Sequence, residues 1–257
     1  MSKLIDKLTQ ASPSGRQPMG FGKSKATAAK PKMVLIASLS QANVAKLAHY
    51  VAGADACLWH ISSSSEIDSW HKSSQKVPDF IWGWWVAGVS RDDMEKILKL
   101  GDDFVVFPTD APATSTPDDK VGRVLQVETS MSDGLLRAIN ALPVDAVLAT
   151  AEADEAPVIT WQRLASLSRI SGLLRKPVLV TIPPNLTADE LQSLWDAGAD
   201  GIVAEVEGGK PPGKIKELRQ MIDGLVYSKT RQRSQAEPLL PHIKPDTSQV
   251  SEDEEEE

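Results

Sequence analysis

The sequence predicts a closed (β/α)8 barrel over residues 33–227, and three observations carry that prediction. Eight short apolar, β-branched runs recur at near-regular intervals. Helix-period segments separate most of them. The runs are almost continuously apolar rather than alternating, which marks strands covered on both faces.

In chain order the strands are expected at Met33–Leu39, Ala56–Ile61, Phe80–Val86, Phe104–Pro108, Arg123–Glu128, Ala146–Thr150, Pro177–Ile182 and Gly201–Val206. Helices are expected at Asn43–Ala52, Asp92–Lys99, Asp133–Ala141, Ile159–Leu174, Ala188–Ala197 and Lys214–Leu225. Ser90 and Thr187 stand where helices should start, with acids in the first turn. Gly53, Gly101 and Gly198 stand where helices should end, because glycine accepts the left-handed backbone of a C-cap. The second and fourth crossovers are reduced: Ser62–Val77 has room for a short helix, and Asp110–Lys120 reads as a loop. The alternative architecture, an open doubly wound sheet, shows a glycine-rich first turn. The first strand here runs on from Ile36 to Gln41 with no such motif, so eight runs in sequence order favour the barrel.

The flanks differ in composition. Residues 1–32 read as a flexible arm, with a turn or two of helix at Leu4–Leu8 and a Gly/Pro/Ser-dense stretch from Ser12 to Gly22. Pro18–Gly22 is placed to close the barrel's bottom or to reach a neighbour. Residues 228–257 read as a disordered acidic tail, punctuated by proline and ending in six consecutive acids after Ser251. With a formal net charge of -7, the chain is a poor match for nucleic acid or an anionic membrane surface. The single cysteine, Cys57, can form no internal disulfide. No apolar leader is visible, and no apolar run reaches the ~18–20 residues a membrane-spanning helix needs. A reducing, cytoplasmic location is the expectation.

A quasi-repeat supports the barrel. Around Asp55, Asp103, Asp145 and Asp200 a helix or turn stops near Gly or Pro, an Asp follows, and a strand begins. The recurrence falls at every second strand. This resembles the "AGAD" strand entry of phosphate- and flavin-binding (β/α)8, TIM-like families. The resemblance implies the fold and leaves the reaction open. The four aspartates themselves are expected to make local turn bonds at the bottom face, a structural task.

In such a fold the active site forms at the C-terminal ends of the strands. His60 ends the second strand and is a candidate general acid or base. Glu128 and Glu205 directly follow apolar strand residues, so they are candidates for proton transfer or for holding a divalent metal. Ser38 and Thr181 are candidate ligand contacts. Trp84, from the run Trp82 to Trp85, is a candidate stacking surface for a flavin, pterin or nucleobase. Alternation sends Trp82 and Trp84 one way and Trp85 the other. After the last strand, Gly208, Gly209 and Lys210 could cradle an anion, although Glu205 and Glu207 beside them would oppose it.

Two functions remain open at this stage. One is a small-molecule enzyme of lyase or isomerase type, using carboxylate and histidine acid–base chemistry, with or without a metal. The other is a non-catalytic barrel that binds or assembles with partners. A thinly covered wall near Phe104–Lys120 would favour self-association.

Overall fold

All eight runs are strands in the computed structural model, and they pair side by side, all parallel, into a closed barrel. The structure describes residues 2–12, 32–39, 47, 51–61, 66–75, 77, 80–88, 90–112, 120–150, 158–183, 185–206 and 213–226. Within them the order is α1 (Lys3–Ala11), β1 (Val34–Leu39), β2 (Ala56–Ile61), α2 (Ile67–Ser74), β3 (Trp82–Val86), α3 (Arg91–Leu100) and β4 (Phe104–Phe107). There follow β5 (Gly122–Glu128), α4 (Asp133–Ile139), β6 (Ala146–Thr150), α5 (Trp161–Leu173), β7 (Val178–Ile182), α6 (Ala188–Asp196), β8 (Gly201–Val206) and α7 (Lys214–Gly224).

The register fixes the barrel's stagger. From Val34 the pairing leads through Gly201, Leu179 and Leu148 to Gln126. From Ser38, four residues on, it leads the other way through Leu58, Gly83 and Phe104 to Gly122. Closure therefore displaces two strands by four residues each, a shear of about eight, as in TIM barrels.

Alternation along each strand sorts side chains into two cores. Val34, Ile36, Leu58, Phe104, Val124, Leu148 and Leu179 fill the barrel. Leu35, Leu39, Trp59, Trp84, Val127 and Val180 face outward and pack with helix residues such as Ile97, Leu136, Leu167 and Leu194. This double burial is why the strands are apolar throughout. One outward gap remains at the fourth crossover, where no helix occurs among the described residues. There Met94, Leu98, Val105, Phe107, Leu125 and Leu142 line an apolar cavity of about 420 Å³. The helix expected at Asn43–Ala52 falls almost wholly outside the described residues, as do the acidic tail and Pro18–Gly22.

The N-terminal segment holds more structure than a turn or two. Its first nine-residue helix, α1, closes the bottom of the barrel: Leu4 and Leu8 are fully buried and belong to the interior core. Two of the four repeat aspartates hold it there. Asp103 accepts from Ser2 Oγ at 2.7 Å and from the backbone N–H groups of Lys3 (2.7 Å) and Leu4 (2.9 Å). A carboxylate is thus supplied to the positive end of the helix from far along the chain. Lys7 Nζ pairs with Asp55 at 3.0 Å. Space for the helix comes from Gly122, where an added Cβ would lie 2.7 Å from Ser2 Oγ and 2.8 Å from Ile5 Cγ1.

The repeat itself has a geometric explanation. Asp55, Asp145 and Asp200 each precede an even strand and accept the first free N–H of the odd strand before it. Those bonds run from Leu35 (2.9 Å), Arg123 (2.8 Å) and Val178 (2.9 Å). Asp103 keeps the same backbone bond, its N–H to the Trp82 carbonyl at 3.0 Å, but gives its carboxylate to α1. Replacing Asp200, itself buried, by Ala strands the Val178 N–H. Urea unfolding should then show a loss of about 1.5–3 kcal/mol, the cost of removing a charged partner from a buried donor.

Candidate functional site at the barrel mouth

The inward-facing parity that fills the barrel with apolar groups carries polar groups at the strands' C-terminal ends. On β1 the inward series Val34, Ile36 ends in Ser38, which is buried and pairs in register with Glu205 of β8. On β2 it is Ala56, Leu58, then His60. On β5 it is Val124, Gln126, Glu128, and on β6 Ala146, Leu148, Thr150. On β7 Leu179 is followed by Thr181, and on β8 Val203 by Glu205. Ser38, His60 and Glu205 are therefore neighbours on the consecutive strands β8, β1 and β2. Glu128 stands on the far wall beside Thr150 and takes a long 3.4 Å bond from Ser130 Oγ. The Thr181 carbonyl accepts from the buried Arg163 of α5 at 2.6 Å.

His60 is the chemically distinctive member. Burial removes water from its ring and lowers its pKa from the ordinary histidine value, while the negative charge of Glu205 partly raises it again. The imidazole is thus neutral at neutral pH and able to take a proton, with a carboxylate near enough to stabilise the cation that results. Its ring meets Trp85 edge-on, with centroids 4.7 Å apart and planes inclined at 63°.

Trp84 is on the wrong face for a ligand contact, a correction to the sequence expectation. It is fully buried in the layer between barrel and helices. Its indole N–H donates to Asp102 at 2.6 Å, and His71 Nδ1 of α2 lies 3.5 Å from the same carboxylate. Burial pushes the Asp102 carboxyl above its usual range, against the opposing pull of the Trp84 bond and of His71. Alternation sets Trp82 and Trp84 on one side and Trp85 on the other, and the structure turns the first pair outward. Gly83 decides it: an added Cβ there would lie 2.4 Å from the Phe104 ring, so Gly83 faces inward and Trp85, two residues on, must do so too.

Trp85, Gln126 and Thr150 share the inward parity of the mouth and are candidates that sequence reasoning missed. Trp85 Nε1 donates to Gln126 Oε1 at 2.9 Å, and Gln126 Nε2 donates to Thr150 Oγ1 at 3.3 Å. Thr150 Oγ1 lies 3.4 Å from the Val127 carbonyl, its acceptor. Counting in twos from the apolar interior residues would have found all three. Gly208, Gly209 and Lys210 lie outside the described residues. Among the described residues no group of three or more His, Cys, Asp or Glu side chains is placed to hold a metal ion, and no helix is long and apolar enough to cross a membrane.

No protein-family model matches the sequence, and no curated protein matches it. Solved structures do resemble the fold. Thiamine phosphate pyrophosphorylase from Pyrococcus furiosus superposes with a TM-score of 0.59 at 16% identity, covering 77% of this chain and 98% of that one. Phosphoribosyl anthranilate isomerase from Thermotoga maritima gives 0.58 at 14%, covering 75% and 100%. A mutant tryptophan synthase alpha-subunit from Pyrococcus furiosus gives 0.57 at 14%, covering 75% and 97%. The chain is a TIM barrel. At these identities the likeness concerns the fold and assigns no particular family.

Proposed function

We propose that the protein is an enzyme of small-molecule metabolism, of lyase or isomerase type, in which His60 transfers a proton at the barrel mouth. The observation that carries this reading is a partly buried histidine at the C-terminal end of β2, within the electrostatic influence of Glu205, where barrels of this kind place their chemistry. His60 takes a proton from a carbon or hydroxyl of the substrate. Glu205 stabilises the imidazolium that forms, and Glu128 on the opposite wall serves as the second proton-transfer group. Ser38 and Thr181 offer hydroxyls to the substrate's polar atoms. The three enzymes named above are small-molecule enzymes by name, which is consistent with this reading and does not choose a reaction.

The test is a depletion assay. Purified protein is incubated with a mixed, cell-derived metabolite pool, and mass spectrometry follows which components fall and which rise. The expected result is one substrate–product pair of equal mass, or one cleavage, present with the native protein and absent with His60→Ala. A pool left unchanged by native protein, or changed equally by the variant, contradicts the assignment.

A further inference from the structure

We infer that Gln126 is a positioning residue for His60: it holds the indole of Trp85 through a hydrogen bond, and Trp85 in turn holds the imidazole and shields part of it from water. The inference rests on the role proposed for His60, but it concerns the placement of the ring, which can be read with or without a substrate.

The arrangement begins in the register. His60 and Trp85 stand directly opposite one another on β2 and β3, both with inward parity, and side chains so paired come into contact. Their rings meet with centroids 4.7 Å apart and planes inclined at 63°, an attractive geometry for two aromatic groups. The contact also lays hydrocarbon against the imidazole, and burial is the leading cause of its lowered pKa.

What fixes Trp85 lies further round the barrel. Its indole N–H reaches past β4 to β5, where it donates to Gln126 Oε1 at 2.9 Å. The residue opposite Trp85 on the intervening strand is Val106, a short side chain. The orientation of the amide is dictated by chemistry. An indole nitrogen can only donate, so the oxygen of Gln126 must face Trp85 and its nitrogen must face away. That nitrogen donates to Thr150 Oγ1 at 3.3 Å, and the hydroxyl donates to the Val127 carbonyl at 3.4 Å. Every bond therefore runs in one direction, and the series ends on backbone held by the sheet. The first bond is the shortest and so the strongest of the three. A half-buried amide is costly unless both of its ends are bonded, and this series supplies a partner for each. From His60 to Thr150 the connected side chains span β2 to β6, half the circumference of the mouth.

The experiment is a double-mutant cycle on the full chain, read by nitrogen-15 NMR of the histidine rings and of the tryptophan indole N–H groups. Gln126→Leu nearly keeps the volume and removes the acceptor; Trp85→Phe keeps an aromatic ring and removes the donor. In Gln126→Leu the pKa of His60 should rise by about half a pH unit toward the ordinary histidine value, because a loosened indole admits water. The Trp85 indole N–H should then exchange with solvent roughly tenfold faster or more. Trp85→Phe should raise the His60 pKa similarly, and adding Gln126→Leu to it should produce no further rise. Gln126→Glu, which keeps an oxygen acceptor for the indole, should restore slow indole exchange. Thr150→Val, nearly isosteric and one bond further along, should move both readings the same way by a smaller amount. It serves in place of Gln126→Leu if that variant does not fold. A glutamine with a merely structural role would act independently of the donor, and its effect would add to that of Trp85→Phe. Additive shifts, or a His60 pKa and a Trp85 exchange rate left at native values by these changes, overturn the inference. Neither reading needs turnover, so a failed depletion assay and a failed positioning role give different results.

Discussion

Replacing Leu4 and Leu8 together by alanine is expected to remove about 4–10 kcal/mol of unfolding free energy, on the basis of ~2–5 kcal/mol for each buried Leu→Ala change. Both side chains are fully buried under the barrel, and nothing else among the described residues fills that position. A domain of this size has only about 5–15 kcal/mol in hand, so the double variant should be partly unfolded at ambient temperature. Leu135→Ala, on an exposed side chain of α4, supplies the comparison and should cost under ~0.5 kcal/mol. Urea unfolding followed by circular dichroism measures both. If the double variant loses no more than the control, α1 is an ornament to the barrel and not its floor.

The second large effect concerns turnover of the substrate found by depletion. His60→Ala should lower kcat/KM by about 10²–10⁴-fold, the usual worth of a positioned general base. The pH profile supplies the sign. The active form is the neutral imidazole, so the rate should rise with pH through the pKa of His60. It should level off beyond that point. Because burial lowers that pKa, the acidic limb falls below the ordinary value of ~6.5. Glu205→Gln removes the charge that raises it and should move the limb further toward acid. A limb moving the other way would place the controlling charge elsewhere.

Most of the fold is legible in the sequence because double burial leaves a simple trace. Strands such as Ala146–Thr150 and Gly201–Val206 fall where the apolar runs end, and Thr187 caps its helix with Glu190 as its residue types suggest. The repeat of aspartates is legible as a structural feature of the bottom face, although the carboxylates reach the preceding strand and not their own turn. The exception, Asp103, is not: its partner is a helix 100 positions away in the chain, and no local pattern encodes that contact. The same distance hid the role of α1. Leu4, Ile5 and Leu8 show an apolar stripe, but a stripe on nine residues does not say what it covers.

The candidate site is half legible for a different reason. His60, Glu205, Ser38 and Thr181 stand out as polar residues ending apolar runs, and the structure sets the first three on adjacent strands. Trp84 against Trp85 is a question of parity, and one small residue, Gly83, decides it through its contact with Phe104. Gln126 does not stand out because it lies inside a strand, between Leu125 and Val127, where a polar residue is easily taken for a solvated one. Its bonds to Trp85 and Thr150 tie β3, β5 and β6 together across the mouth.

The central claim is that His60 is a desolvated base under the influence of Glu205, and it can be tested before any substrate is known. Nitrogen-15 histidine NMR, with His60→Ala to assign the signal, gives the pKa of the ring in the native protein and in Glu205→Gln. The account predicts a native pKa below the ordinary histidine value and a lower one still in the variant. A native value at or above the ordinary one, or no change on removing the Glu205 charge, would contradict it.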